Sequence, residues 1–340
     1  MKKTFFLHCY FLFNFFYSFY IFSSCSMAEP SRTEFALGTV CTVTLFDKGK
    51  DQIYNDIFNR LREIENLMSV NIPSSDISRI NAAAGIEPVQ AHEETIKVIK
   101  RSVFYAEVSD GAFDPTVGPV VSLWGIVNEN QRIPDQTEID EILPLVNWRN
   151  IDINLEANTV FLKYQGMALD LGAIAKGYAA DEAVAIIRNT KVKQAIIDLG
   201  GNVILYGEKK DKSLWRVGIQ NPLETRGIIT GVVQVKEKTV VTSGVYERFF
   251  EQDGKRYHHI FSPWKGYPSD SGLLSVTIIA DNSMEADALS TAVFVLGYER
   301  SKTLLDLFPD TEAIFIFEDM SIQTTSALNL TITDKAYFLK

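Results

Sequence analysis

Residues 169–178 read LDLGAIAKGY. A strand-like run precedes them (VFLKY, 160–164) and another follows (AIIDL, 195–199), with a helical pattern from about Ala173 to Arg188 between the two. Asp170, Gly172 and Lys176 therefore surround the start of a helix. Small residues at such a place let a ligand approach the backbone, and the free N–H groups of a helix start favour anions. A lysine one turn in adds a mobile positive charge suited to phosphate. Asp170 is the odd member, because a bare carboxylate repels phosphate. An acid there implies a polar ligand group or a divalent cation between the two. The same ten residues also read as an N-capped amphipathic helix with a surface lysine, and the segment alone does not choose.

Outward from this point the chain alternates helices and strands. Toward the N-terminus, Thr39 to Phe46 reads as a strand. A helix from about Asp51 to Met68 follows, with Ile53, Ile57, Leu61, Ile64 and Met68 on one face. NIPSSDISRIN (71–81) is a loop leading into a short helix capped by Ser75 or Asp76. A second amphipathic helix spans about Glu93 to Val108. DGAFDPTVGPVVSLWG (110–125), dense in glycine and proline, reads as an ordered loop. Toward the C-terminus, Gly200-Gly201 turns the chain into NVILYG. The strand-like runs WRVGIQ, GIITGVVQV, TVVTSG, ERFFEQ and RYHHIF come next. LLSVTIIA is an apolar strand, a helix covers about Met284 to Leu296, and AIFIFED returns to strand. The pattern predicts one compact α+β body of two packed lobes.

The N-terminus is of another kind. Lys2 and Lys3 precede a long apolar run to Phe22, then FSSCS with Cys25 after two serines. This is a secretory signal over residues 1–24, and Cys25 sits as in a bacterial lipobox. Cleavage before Cys25 and lipidation of its thiol would tether the protein to a membrane surface. An ordinary signal peptide or an uncleaved anchor helix is the alternative. Residues 25–36 read as a polar tether and 37–340 as the folded domain. Of three cysteines, only Cys41 then remains inside the fold, so no internal disulfide is expected. The formal net charge of -10 argues against a nucleic-acid binder.

Three acidic positions stand out: Asp114 in DGAFDP, Asp170, and Asp287 in EADALSTAV. On a helix Asp287 and Thr291 are i and i+4, so carboxylate and hydroxyl share a face, a pairing that suits a hard cation such as Mg²⁺. Asp287 also reads as an ordinary acid in a first helical turn. TSGVYERFF holds Ser243 in a small-residue bend. In RYHHIF, His258 and His259 are neighbours, and on a strand at most one faces a given site. That one can act as a general base, or it is a structural edge-strand histidine. The P-loop, nucleophile-elbow and dinucleotide G-x-G-x-x-G signatures are missing.

In order, ALGT, MSVNIPSSDISRIN, DGAFDPTVGPVVSLWG, LDLGAIAKGYAAD, IIDLGGN, WRVGIQNP, TSGVYERFF, HHIFSPWKGYP and ADALSTAVFVLG resemble the ApbE-type flavin transferases (FAD:protein FMN transferases). The resemblance implies mixed, largely antiparallel sheets flanked by helices. It implies FAD as substrate, Mg²⁺ on the pyrophosphate, and an exported flavoprotein whose threonine receives FMN while AMP leaves. By motif match, Mg²⁺ would meet Asp287, Thr291 and the carbonyl of Ala173. Ser290 is a further candidate, standing where some members carry Asp. FAD would meet Leu37, Asn71, Ala112, Phe113, Asp114, Asp170, Lys176, Ser243, His259 and Ile260. His259 is the candidate base and Asp287 the second catalytic residue. The resemblance places the protein on the inner membrane through its lipid, facing the periplasm. Ser262 stands at an acidic position of the family's HI-x-D-P. Asn71 replaces an aromatic that could stack on the dinucleotide, which raises the alternative of FAD hydrolysis to FMN and AMP. A non-catalytic flavin-binding lipoprotein is a third reading.

Overall fold

A nine-stranded sheet organises the chain, which a computed structural model describes over residues 31–47, 51–126, 130–326 and 328–340. The signal segment and Cys25 lie outside the described residues. The strands cross the sheet in sequence order: Ser31–Ala36, Thr39–Leu45, Ala195–Leu199, Asn202–Tyr206, Thr239–Gly244, Leu273–Ala280, Glu312–Phe317, Ser321–Thr324 and Phe338–Leu339. Every neighbouring pair is antiparallel except the last. The fold is α+β with largely antiparallel sheets.

The seven described helices are α1 (Asp51–Met68), α2 (Asp76–Ala82), α3 (Glu93–Val108), α4 (Gly118–Trp124), α5 (Gln136–Ile142), α6 (Ala175–Arg188) and α7 (Ser283–Leu305). One face of the large sheet packs on α1, α6 and α7, with Val241, Ile278 and Phe315 in that core. The other face packs on a three-stranded sheet of Trp215–Gln220, Ile229–Val235 and Leu330–Ile332, burying Val240, Ile279 and Ile316. Burial on both faces explains why LLSVTIIA and AIFIF read as unbroken apolar runs instead of alternations. A third apolar cluster joins α4 and α5 to the hairpin Phe249–Gln252/Lys255–His258, around the fully buried Trp124.

Four boundaries differ from the sequence expectation. The tether over 25–36 is overturned for its last six residues, because Ser31–Ala36 forms the sheet's first strand. It is an edge strand with one face toward solvent, so SRTEFA carries few apolar residues and reads as polar tether. Loop 110–125 ends in a helix, α4, with a proline in its first turn where no N–H is needed. The helix expected from Ala173 starts at Ala175, after a turn through Gly172 to Ile174. α7 continues past Leu296, but its helical backbone breaks at Gly297 (φ 74°).

Candidate active site

A cleft of about 710 Å³ opens where the end of the large sheet meets α6, α7 and the 110–117 loop. Leu37, Asn71, Ala112, Phe113, Asp114, Asp170, Ala173, Lys176, Ser243, His259, Ile260, Asp287 and Thr291 all line it. Ser290 does not. Residues as far apart in sequence as Leu37 and Thr291 thus line one cleft.

The corner between α6 and α7 is the most constrained part. Gly177 lies against the backbone of α7, and a Cβ added there would stand 2.3 Å from the Ser283 carbonyl oxygen. Only glycine permits this approach, which brings the Gly177 N–H to 2.8 Å from Asp287 Oδ2. Gly177 is the third residue of α6, so Asp287 accepts one of that helix's unpaired first-turn N–H groups. The anion that the motif invites is here partly the protein's own carboxylate. Asp170 is not the helix cap. It accepts the Gly172 N–H at 2.7 Å and closes the preceding turn. Asp181, to which the sequence reading gave no role, receives the Ser283 and Met284 N–H groups, each at 2.9 Å, and so fixes the start of α7. Its signal was present as the final acid of LDLGAIAKGYAAD.

Asp287 is 5% exposed. Burial raises its pKa, opposed by Lys176, whose Nζ is 4.0 Å from Oδ1, and by the Gly177 N–H. Lys176 also donates to the Gly172 carbonyl at 3.1 Å. A buried carboxylate with one backbone hydrogen bond and a lysine at this distance is under-neutralised. Thr291 lines the same wall, and the Ser243 hydroxyl stands 3.4 Å from Oγ1 of Thr291 and 2.8 Å from Oγ of Ser290. Ser290 is fully buried and donates to the Asp287 carbonyl at 2.9 Å. It supports the wall from behind. Asp287, Thr291 and the Ala173 carbonyl are hard oxygen donors and fit a Mg²⁺ ion that takes its remaining ligands from water and substrate phosphate. Among the described residues, no cluster of three or more His, Cys, Asp or Glu side chains could hold a metal by itself.

The two histidines separate cleanly. His258 is buried, and both ring nitrogens are engaged: Nε2 donates to the Ser269 carbonyl (3.1 Å) and Nδ1 accepts the Ile260 N–H (3.3 Å). Burial lowers its pKa to about 4. His259 lines the cleft instead. Its Nδ1 is 3.2 Å from the Arg248 carbonyl, an acceptor only, so Nδ1 carries the proton and Nε2 keeps a lone pair. Desolvation first, then Arg248, His258 and Lys176, hold its pKa down at about 3, and the ring is neutral at ordinary pH.

The loops complete the cleft. Both Asp114 oxygens are engaged internally, one by the Thr116 N–H (2.8 Å) and hydroxyl (2.6 Å), the other by the Trp148 N–H (3.2 Å). Burial raises its pKa against these bonds. Its carboxylate thus shapes the loop that carries Ala112 and Phe113. Leu37 (φ 54°) and Gly38 (φ 67°) form the two-residue turn between the first two strands. The Gly38 carbonyl accepts from Arg248 at 3.3 Å. Asn71 is exposed on the rim. Ser262 is buried and outside the lining, while Arg226, Glu247 and Asn202 line the cleft without having been singled out by the sequence.

This fold and cleft have the build of an enzyme site for a phosphorylated ligand, with an oxygen-donor corner, a lysine and a neutral histidine along one wall. The chain belongs to the ApbE family, whose profile matches residues 37–315. It is 38% identical over 317 residues to the FAD:protein FMN transferase of Treponema pallidum, covering 88% of each chain. It is 38% identical to one from Klebsiella pneumoniae over 81% of this chain and 85% of that protein. The crystal structure of the ApbE protein from Thermotoga maritima superposes with a TM-score of 0.78 at 35% identity, covering 86% of this chain and 96% of that one.

Proposed function

We propose that this protein is a Mg²⁺-dependent FAD:protein FMN transferase that acts on a threonine of an exported flavoprotein. The observation that carries the reading is the Asp287 corner: a buried, under-neutralised carboxylate beside Lys176, on the cleft wall that also holds a neutral histidine. The threonine Oγ attacks the FMN phosphorus, the P–O–P linkage breaks, and AMP leaves. The threonine proton passes to Nε2 of His259, the nitrogen left unprotonated by the Arg248 carbonyl. Lys176 offsets charge on the phosphoryl oxygens, and Asp287, Thr291 and the Ala173 carbonyl would hold Mg²⁺. Bound there, the ion supplies charge neutralisation for the transferring phosphoryl group.

The acidic chain, its signal-like first 24 residues and Cys25 support a lipid-anchored protein on the periplasmic side of the inner membrane, with no role in nucleic-acid binding. No described helix is long and apolar enough to cross a membrane. The test is co-expression with exported flavoproteins of the same cell, followed by mass spectrometry. An FMN-sized adduct on a threonine, dependent on Asp287 and absent with EDTA, is expected. Absence of any adduct with folded, FAD-loaded protein refutes the transferase reading. The exposed Asn71 on the cleft rim favours some FAD hydrolysis alongside transfer. Asn71→Tyr then lowers AMP release in the absence of acceptor.

A further inference from the structure

The strand Thr239–Gly244 outruns its neighbour at the cleft. It pairs with Leu273–Ala280 along its whole length, but with Asn202–Tyr206 only from Thr239 to Val241. The neighbour ends there because the chain turns back at Gly200 and Gly201, with φ of 68° and 95°. Two backbone bonds fix the phase of the overhang. The Val245 N–H bonds the Leu274 carbonyl on one side, and the Lys238 carbonyl receives the Leu205 N–H on the other. Alternation along an antiparallel ladder therefore directs the N–H and C=O of Thr242 and Gly244 to the side that has no strand beyond Asn202. Asn202, at the end of the neighbour and lining the cleft, adds a buried Nδ2 without a hydrogen-bond partner.

The two faces of this overhang open into different cavities. On the helix face Ser243 points to Ser290 and Thr291, beside the reacting corner. On the other face Thr242 pairs with Thr277 and lines a second cavity of about 240 Å³ between the two sheets. Its floor is Val203, Val217 and Val240, with Asp198, Glu247 and Arg226 around it. Gly201, Thr242, Arg226 and Glu247 line both cavities. Two carboxylates against one arginine make the second cavity a poor place for another polyanion.

We infer that the acceptor polypeptide docks as an added strand on the unpaired edge of Thr242–Gly244, its target threonine facing Ser243 and Thr291 and the residues on either side of that threonine facing the second cavity. This deepens the transferase reading and rests on it. An edge offering alternate donors and acceptors matches an extended peptide, whose side chains alternate between faces as the two cavities require. The edge then supplies main-chain bonds common to any acceptor, and the second cavity selects on the neighbouring side chains.

The test uses the unmodified protein with FAD, Mg²⁺ and a synthetic peptide of about ten residues carrying centrally the threonine identified by its adduct, since a few strand bonds need only a short segment. N-methylation of the peptide amides is scanned one position at a time. Strand addition predicts a two-residue period: KM for peptide rises about tenfold at alternate amides, the size of one or two lost hydrogen bonds, and stays level between them. Thr242→Pro, which removes one edge N–H, raises KM for peptide similarly while FAD binding, read by flavin fluorescence, changes less than about twofold. Thr242→Val keeps that N–H and raises KM for peptide less than Thr242→Pro does. Even tolerance of methylation along the peptide, or a Thr242→Pro effect confined to FAD affinity, overturns the inference while leaving the transferase reading intact. No transfer from the wild type to any threonine fails the earlier reading instead.

Discussion

Gly177→Ala tests the corner on which the proposed chemistry depends. The new Cβ would stand 2.3 Å from the Ser283 carbonyl oxygen and 2.7 Å from Met284 Cα, both backbone atoms of α7. Reaching an ordinary contact of 3.4 Å requires the helix starts to part by about 1.1 Å. Along the Gly177 N–H, that movement takes the 2.8 Å bond to Asp287 beyond hydrogen-bond range. Overpacking of this kind costs about 1–3 kcal/mol. Loss of a hydrogen bond to a buried carboxylate costs about 1.5–3 kcal/mol more. Less conformational freedom in the unfolded chain returns under about 1 kcal/mol. The expected loss is therefore about 2–5 kcal/mol, a large part of the stability of an ordinary domain. Urea unfolding followed by circular dichroism measures it, and a Mg²⁺ titration of transfer activity should show weaker apparent affinity. Gly172→Ala is the control from the same motif. Its Cβ meets only the Asp170 carboxylate, at 3.0 Å, and that side chain needs to give by only a few tenths of an ångström. It should cost less than about 1 kcal/mol, in line with ordinary surface changes. Equal costs for the two variants would mean that the close approach at Gly177 does not hold the corner together.

Two further outcomes follow from the buried titratable groups. His258 has a folded pKa of about 4, below the unfolded value of 6.5, so the unfolded state binds the extra proton first. Its contribution is complete above pH 6.5 and is lost as pH falls toward 4, by about 2 kcal/mol at pH 5; urea melts of wild type and His258→Gln should diverge in pH slope over that window. Asp287→Asn removes an under-neutralised buried charge but keeps an oxygen to accept the Gly177 N–H. It should raise stability by about 1 kcal/mol in metal-free buffer while cutting transfer at least about 100-fold, as thermal melts and adduct rates would show.

Elements whose pattern is local could be read directly from their residues. α1 and α3 begin and end where their apolar periodicity and the Asp110-Gly111 stop place them, and the two-sided strands announced themselves as apolar runs. The ordered motifs also gathered nearly all of the cleft lining. The edge strand Ser31–Ala36 was illegible because pairing, and not apolar content, makes it a strand. Ser290 was a metal candidate only because ApbE-type members can carry Asp there, and in the fold its hydroxyl meets Ser243 and the Asp287 carbonyl. Asp170, the odd acid of LDLGAIAKGY, closes a turn, and the start of the helix that follows takes Asp287, 110 positions away. The histidine roles were likewise decided by packing: adjacent residues of one type differ only in which carbonyl each ring meets and which face each occupies. Hydrogen-bond partners and burial come from chain segments that meet only on folding, so the sequence could name the site's residues while the tertiary structure assigned their work.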